Sequence, residues 1–154
     1  LAALLGHGME ALCNLHQEGA KLDPSHVAIV GVRSYDEGEA ALLESLGVRV
    51  FFMDEIKERG LKSVFDEALS IVSKAPKGYG ITVDLDAFDP KEAPGVGTPE
   101  EGGLHASEFL PLLKSISQDE KFKAFEVAEY NPALDHNFRT AALTEKLIQC
   151  AIGG

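Results

Sequence analysis

Asp84 and Asp86 stand one residue apart where an apolar run of the sequence ends. In a β-strand, residues i and i+2 point to the same side, so the two carboxylates are expected to project together. Parallel sheets bind ligands at such strand ends, and adjacent carboxylates repel each other unless a cation lies between them. Hard oxygen ligands suit Mg²⁺ or Mn²⁺. The pair therefore predicts a divalent-metal site, with loop entry or helix capping as the plainer interpretation.

A loop rich in proline and glycine follows the two aspartates, from Asp89 to Gly103. Long loops without periodicity commonly shape functional sites. From Asp84 onward the segment fits the pattern D-x-D-x-x-D-P-x-x-x-P-G-x-G-T-P-x-x-G-G at every fixed position. It closely resembles the second metal-binding motif of the ureohydrolase family, which includes arginases, agmatinases and formimidoylglutamases. The resemblance implies that Asp84 and Asp86 bridge a pair of Mn²⁺ ions in the intact enzyme.

Two further segments are similar to ureohydrolase elements that bind the substrate. Glu129 begins Glu-Tyr-Asn-Pro, which resembles the family's E-x-N-P element and implies that Glu129 receives the guanidinium of a small cationic substrate. Asp36 resembles the arginase aspartate that helps hold the α-amino group of arginine, although an acidic helix start alone also favours such a residue. Thr98 is expected to orient Glu129 or the loop. We assign no catalytic residue within this chain.

These residues need a scaffold that positions them at one edge of a sheet. Apolar runs predict strands at 27–32, 48–53, 81–85 and 124–128, and helical periodicity predicts helices at 1–18, 37–46, 61–72, 107–116 and 137–152. Strands joined by crossovers of helical length favour an α/β fold with a mostly parallel sheet. By resemblance this is the three-layer α/β/α arginase-like fold, incomplete on its N-terminal side. Residues 1–154 are expected to form the C-terminal portion of a single ureohydrolase domain.

Charge and composition narrow the possible partners. The formal net charge of −11 repels nucleic acid and anionic membranes, so neither is an expected partner. No apolar run approaches the roughly 18 residues needed to span a membrane, and no basic-then-apolar leader opens the sequence. Two distant cysteines, Cys13 and Cys150, fit a reducing, cytoplasmic compartment. The family resemblance also implies a homo-oligomer, either a trimer or a hexamer.

The other metal-binding elements of ureohydrolases are not found in the sequence. The family carries a histidine in a Gly-Gly-Asp-His segment, a D-x-H-x-D cluster and a histidine that shuttles protons, and no segment here fits them. A hard cation needs about six donors, so two carboxylates alone should bind Mn²⁺ weakly. The chain by itself is therefore expected to be inactive and largely metal-free. A truncated sequence is the favoured explanation, and a non-catalytic binding module that has lost its site is the other.

For the intact enzyme, the motifs favour Mn²⁺-dependent hydrolysis of a guanidino carbon by a C–N hydrolase of linear amidines. The D-x-x-E of Asp36 and Glu39 and the Asn-Pro after Glu129 resemble arginases more than agmatinases, which favours conversion of L-arginine to L-ornithine and urea. Formimidoylglutamase and agmatinase activities stay open as alternatives. From another class, the segment from Asp84 to Phe88 resembles the nucleophile strand of haloacid-dehalogenase-like phosphatases, but Phe88 stands where that strand needs threonine or valine.

Overall fold

Helices alternate with parallel strands along the chain, and the computed structural model describes residues 1–153. The strands are β1 (Ala28–Val32), β2 (Arg49–Phe52), β3 (Tyr79–Asp84) and β4 (Phe122–Ala128). The α-helices are α1 (Glu10–Cys13), α2 (Glu37–Ser45), α3 (Met53–Arg59), α4 (Leu61–Val72), α5 (Ala106–Ser115) and α6 (Arg139–Ala151). Single 3₁₀ turns occupy Ala2–Leu5, Pro24–His26, Leu85–Ala87 and His136–Phe138. Within residues 1–153, no helix is long and apolar enough to cross a membrane.

The strands form two parallel two-stranded sheets. β1 pairs with β2, with Ala28 opposite Arg49, and β3 pairs with β4, with Asp84 opposite Ala128. In the described part of the chain, no backbone ladder joins the two sheets. Parallel pairing brings the carboxyl ends of both strands to the same edge. Asp84 and the residue that follows Ala128 are therefore neighbours at the edge of the β3–β4 sheet.

The core determines which residues of β3 and its following turn are available at the edge. Val83 and Phe88 are buried, and Leu85 is completely inaccessible to solvent. Asp84 and Asp86 alternate with these apolar residues and keep partial exposure. Burying a large apolar side chain contributes roughly 1.5–3 kcal/mol, so the apolar residues take the inward positions. The two carboxylates are consequently left at the edge.

Helix α4 shows how the sequence pattern forms a buried face. Leu61, Val64, Phe65 and Ala68 are buried and recur at i, i+3, i+4 and i+7. The helix packs against α3, α5 and β1. It begins after Gly60, whose φ of 80° sets α4 apart from the helix before it. The structure thus contains the predicted helix at 61–72.

The predicted helix over residues 1–18 is wrong. Only Ala2–Leu5 and Glu10–Cys13 are helical in this segment. Gly6 and Gly8 have φ values of 84° and 113°, which interrupt a right-handed helix. Most apolar residues that suggested a helical face are exposed: Leu1, Leu4, Met9, Leu12 and Leu15. A short helix needs packing of its apolar face to be stable in water, and these side chains do not pack on the core.

Helix α3 differs from the elements expected from sequence. The strand predicted at 48–53 ends at Phe52, and the chain continues directly into α3. Met53 and Ile56 are buried on this helix. Salt bridges tie α3 to its neighbours through two arginines and two glutamates, Arg49, Glu55, Arg59 and Glu67. A helix of seven residues is too short to give a clear periodic signal in the sequence.

Candidate active site

Asp84 and Asp86 lie on the turn that ends β3. The strand ends at Asp84 and Leu85–Ala87 form a single 3₁₀ turn, so Asp86 is not part of an extended strand. Asp84 Oδ1 accepts a hydrogen bond from the Asp86 amide at 3.2 Å. Asp84 therefore does cap a turn, as the plainer interpretation proposed. That bond engages one oxygen of the carboxylate, and both aspartates keep partial exposure at the sheet edge.

The electrostatics of this edge favour a bound cation. Burial raises the pKa of the Asp84 carboxyl, and the nearby carboxylates of Asp86 and Glu129 raise it further, against the opposing hydrogen bond from the Asp86 amide. A raised pKa means that the negative charge on Asp84 is unfavourable in the protein alone. A divalent cation at this position would offset both the burial and the repulsion.

Glu129 lies beside Asp84 because of the register between β3 and β4. Asp84 is opposite Ala128, the last residue of β4, and Glu129 follows directly. Its φ of 65° is uncommon for a residue other than glycine, and such backbone conformations cluster at functional sites. Glu126, earlier in β4, accepts a hydrogen bond from the Thr82 hydroxyl at 2.8 Å. The register therefore places Glu129, and not Glu126, at the edge with Asp84.

Thr98 contacts Asp86. Its hydroxyl donates to Asp86 Oδ2 at 3.0 Å, although the sequence suggested Glu129 or the loop as its partner. A hydrogen-bond donor on a carboxylate fixes the orientation of that carboxylate, which is how outer partners of a metal ligand commonly act. Thr98 and Asp86 are twelve residues apart, so the loop folds back over the turn.

The loop after the aspartates is closed by its own hydrogen bonds. Asp89 is buried, and its carboxylate accepts from the amides of Lys91 at 3.0 Å and Gly102 at 3.2 Å. The bond from the Lys91 amide is the main cause of a lowered pKa at Asp89. The Leu104 amide donates to the Ala87 carbonyl at 2.8 Å. The third aspartate of the motif is thus structural, because it holds the loop against the turn before it.

Gly95 of this loop is held by the Glu-x-Asn-Pro element and by Thr140, and Thr140 and its partner Asp135 were not singled out in the sequence analysis. Thr140 is fully buried, and its Oγ1 accepts a hydrogen bond from the Gly95 amide at 2.7 Å. The Asn131 amide donates to the Gly95 carbonyl at 2.8 Å. Asp135 accepts from the amides of Thr140 at 3.0 Å and Ala141 at 2.9 Å. An aspartate before a helical pattern is a recognisable cap signal, whereas a single buried threonine gives none.

Asp36 follows β1 and caps helix α2. Its Oδ1 accepts a hydrogen bond from the Glu39 amide at 2.7 Å, and the side chain is exposed. In the described part of the chain, no hydrogen bond or ion pair joins Asp36 to Asp84, Asp86 or Glu129. The structure thus brings three of the acidic residues together and leaves Asp36 at the end of the neighbouring sheet.

Arg33 connects the two sheet edges. Its guanidinium donates to the carbonyl oxygens of Asp86 and Ala87. An open cleft of about 570 Å³ lies beside it, lined by residues of β1, β2, α3 and the motif loop, including Arg33, Tyr35, Phe52, Lys57 and Glu101. The cleft has room for a small molecule next to the end of β1, and its lining does not include Asp84, Asp86 or Glu129.

The acidic residues at this edge are a partial donor set for a metal. Among residues 1–153, no group of three or more His, Cys, Asp or Glu side chains is placed to hold a metal ion. His105, which follows the loop, has its Nδ1 2.9 Å from Glu92 Oε1, and this hydrogen bond raises the pKa of His105. Asp84 and Asp86 supply the hard oxygen donors that Mn²⁺ and Mg²⁺ accept, and the residues present therefore fit part of such a site.

Comparison with known proteins decides the family. The model described as "Arginase family" matches residues 5–153. The chain belongs to the arginase family. Over 99% of its length it is 39% identical to the arginase of Brevibacillus brevis. The crystal structure of arginase from Bacillus subtilis covers the whole chain with a TM-score of 0.93 and 37% identity. That of formimidoylglutamase from the same species covers 84% of the chain with a TM-score of 0.79 and 28% identity.

These comparisons confirm the ureohydrolase resemblance and the arginase-like α/β fold. They leave the phosphatase interpretation without support. The chain spans about half the length of the curated arginases that it matches, 51% of the Brevibacillus brevis protein. It covers 57% of the Bacillus subtilis arginase chain and 41% of the formimidoylglutamase chain.

Proposed function

We propose that this chain forms part of an enzyme that hydrolyses the guanidino carbon of L-arginine to give L-ornithine and urea, with Mn²⁺ as its cofactor. The observation that carries the proposal is the gathering of Asp84, Asp86 and Glu129 at one strand edge, where burial and mutual repulsion raise the pKa of Asp84. A carboxyl whose pKa is raised by burial and by neighbouring carboxylates is typical of a functional site, and a bound cation would relieve the repulsion.

Each acidic residue has a role in this proposal. Asp84 and Asp86 hold Mn²⁺, with the Thr98 hydroxyl fixing one oxygen of Asp86. Mn²⁺ bound there would supply Lewis-acid activation of the water that attacks the guanidino carbon. Glu129 pairs with the guanidinium and holds its carbon near the metal edge. Asp36 recognises the amino-acid end of the substrate from the neighbouring sheet, beside the cleft.

Two carboxylates fall short of a complete metal site. A hard divalent cation takes about six donors, so Mn²⁺ should bind this chain weakly, and the chain alone should be inactive. We place the chain as the C-terminal portion of one ureohydrolase domain, whose remaining length supplies the other ligands. A trimer or hexamer and a cytoplasmic location belong to the same proposal.

The metal assignment is tested by titrating the 154-residue chain with Mn²⁺ in a calorimeter. We expect weak binding that Asp84→Asn abolishes. Asp66→Asn is the matched control, because Asp66 is an exposed carboxylate that pairs with Lys62 on α4. Sub-micromolar affinity for two ions would contradict the proposal of an incomplete site, and binding that survives Asp84→Asn would contradict the assigned ligand.

The substrate is tested with the longest natural polypeptide that contains this sequence. Urea release is measured with arginine and with agmatine, and formimidoylglutamate hydrolysis is measured beside them. We expect arginine to be preferred, because the chain is 39% identical to a protein named arginase. Urea from agmatine alone, or hydrolysis of formimidoylglutamate alone, would refute the arginine proposal. No turnover of any of them would favour a binding module.

A further inference from the structure

Arg33 is the residue through which the β1 edge contacts the turn of the paired aspartates. It directly follows β1, and its Nη1 donates to the Ala87 carbonyl at 2.8 Å while its Nη2 donates to the Asp86 carbonyl. These acceptors lie 54 and 53 residues away in the sequence. Both contacts are part-buried, which makes them less screened by solvent than surface contacts.

The two acceptors are consecutive carbonyls of the turn that presents the Asp86 carboxylate. The planar fork of a guanidinium can satisfy two neighbouring acceptors at once, which an ammonium group cannot do in a fixed geometry. The side chain of Asp86 is also held, because the Thr98 hydroxyl donates to Asp86 Oδ2 at 3.0 Å. Asp86 is therefore fixed through its backbone by Arg33 and through its side chain by Thr98.

One nitrogen of the Arg33 guanidinium is left without a partner within residues 1–153 in this placement. Its Nε is buried and has no hydrogen-bond acceptor among the described residues. Leaving a buried donor without a partner costs stability. In this orientation the two terminal nitrogens, Nη1 and Nη2, donate to the carbonyl oxygens of the Leu85–Ala87 turn, and only Nε lacks an acceptor in the part of the chain that the structure describes.

We propose that Arg33 is a positioning residue for metal binding. It holds the Leu85–Ala87 turn so that the Asp86 carboxylate stands where a divalent cation binds with Asp84. This role rests on the proposed function, because it acts through the metal ligands assigned there. Partners outside the ligands themselves typically change metal affinity by about 10–100-fold when they are removed.

The test compares Arg33→Met with Arg139→Met in the 154-residue chain. Arg139 is the matched control, because it also donates to a backbone carbonyl of the motif region, Lys91 O at 3.2 Å, but not at an assigned ligand. Mn²⁺ affinity is measured by water-proton relaxation, which detects weak sites. We expect roughly tenfold weaker binding for Arg33→Met and no change for Arg139→Met. Circular dichroism checks that each variant is folded.

Arg33→Lys keeps the positive charge but loses the planar guanidinium that can donate to two carbonyls at once. This variant should therefore bind Mn²⁺ more weakly than the wild type, while its Tm stays close to that of the wild type. It is the deciding variant if Arg33→Met does not fold. Asp86→Asn supplies a double-mutant cycle, in which Arg33→Lys should add little further loss because both changes act through one ligand. Losses that add in full would show a general structural role and overturn the proposal.

The outcomes separate this inference from the function on which it rests. If the wild type binds Mn²⁺ through Asp84 and both Arg33 variants bind it equally well, only the role of Arg33 is refuted. If the wild type shows no binding that depends on Asp84, the metal site itself is refuted and the role of Arg33 falls with it.

Discussion

Substituting Gly103 should disturb the turn that carries the aspartates. Gly103 is buried where the motif loop returns to its start. A Cβ at this position would lie 2.5 Å from the Phe88 carbonyl carbon, 2.6 Å from the Ala87 oxygen and 2.7 Å from the Asp89 nitrogen. All three are backbone atoms, so no side-chain rotation relieves the overlap. Gly103→Ala must therefore move the loop away from the turn.

The cost can be worked from these distances. Carbon atoms in contact normally stay about 3.5–4.0 Å apart, so the overlap is about 1.0–1.5 Å at the nearest atom. Overpacking of this kind typically costs about 1–3 kcal/mol, and contact with backbone favours the upper part of that range. For a chain of this size each 1 kcal/mol lowers Tm by about 2–4 °C. Gly103→Ala should thus lower Tm by roughly 4–12 °C.

The assay is thermal unfolding followed by circular dichroism, with Gly97→Ala as the matched control. Gly97 lies in the same loop, and a Cβ there would meet no atom within 4 Å. Its replacement should leave Tm unchanged or raise it slightly, because alanine restricts the unfolded chain. Equal melting temperatures for the two variants would refute the argument that the second glycine of the Gly-Gly pair is required by close backbone packing.

Three further predictions concern stability. Thr140→Val leaves the Gly95 amide without its acceptor and should lower the free energy of unfolding by about 1–3 kcal/mol in urea titrations; an unchanged value would contradict the assigned bond. Asp84→Asn should raise that free energy at pH 7: the folded-state pKa of Asp84 is raised, so the wild type loses stability as pH rises above about 3.9. Asp89→Asn should do the reverse, because its folded-state pKa is lowered and its contribution, present above about pH 3.9, is lost on acidification. Urea unfolding of the wild type and both variants from pH 3 to pH 7 measures how the difference in free energy of unfolding between each variant and the wild type changes with pH. If this difference changed in the same direction for both variants, the opposite electrostatic effects assigned to Asp84 and Asp89 would be contradicted.

The opposite signs expected at Asp84 and Asp89 separate the proposed metal ligand, Asp84, from the aspartate that holds the loop, Asp89. Asp89 is surrounded by amides that its charge satisfies, so it stabilises the loop without a ligand. Asp84 is partly buried beside other carboxylates, so its charge is unfavourable in the protein alone. The motif letters are the same at both positions, and only the surrounding groups distinguish them.

The parts of the fold that the sequence predicts are those with local patterns. Helix α4 follows from its periodic apolar residues, and β3 from an apolar run. The failure at residues 1–18 has a physical cause, because an apolar helical pattern forms a helix only where its face can pack. Helix α3 is too short to leave a pattern of its own.

The residues of the candidate site also fall into those that a local sequence pattern predicts and those that it does not. Asp84 and Asp86 are predictable because they open a long motif at the end of an apolar run, and Glu129 because it ends a later apolar run just before Asn-Pro. The contacts of Arg33 with Asp86 and of Thr140 with Gly95 span 53 and 45 residues. Such contacts depend on how strands and loops meet in space, so no local pattern of the sequence reveals them.

We propose above all that the edge at Asp84 and Asp86 is the metal-binding part of an arginase-family site. The most direct test of this proposal is anomalous X-ray diffraction from crystals of this chain equilibrated with millimolar Mn²⁺. We expect an anomalous peak within ligand distance of carboxylate oxygens of both Asp84 and Asp86. A peak bound elsewhere, or none at this edge, would contradict the proposal.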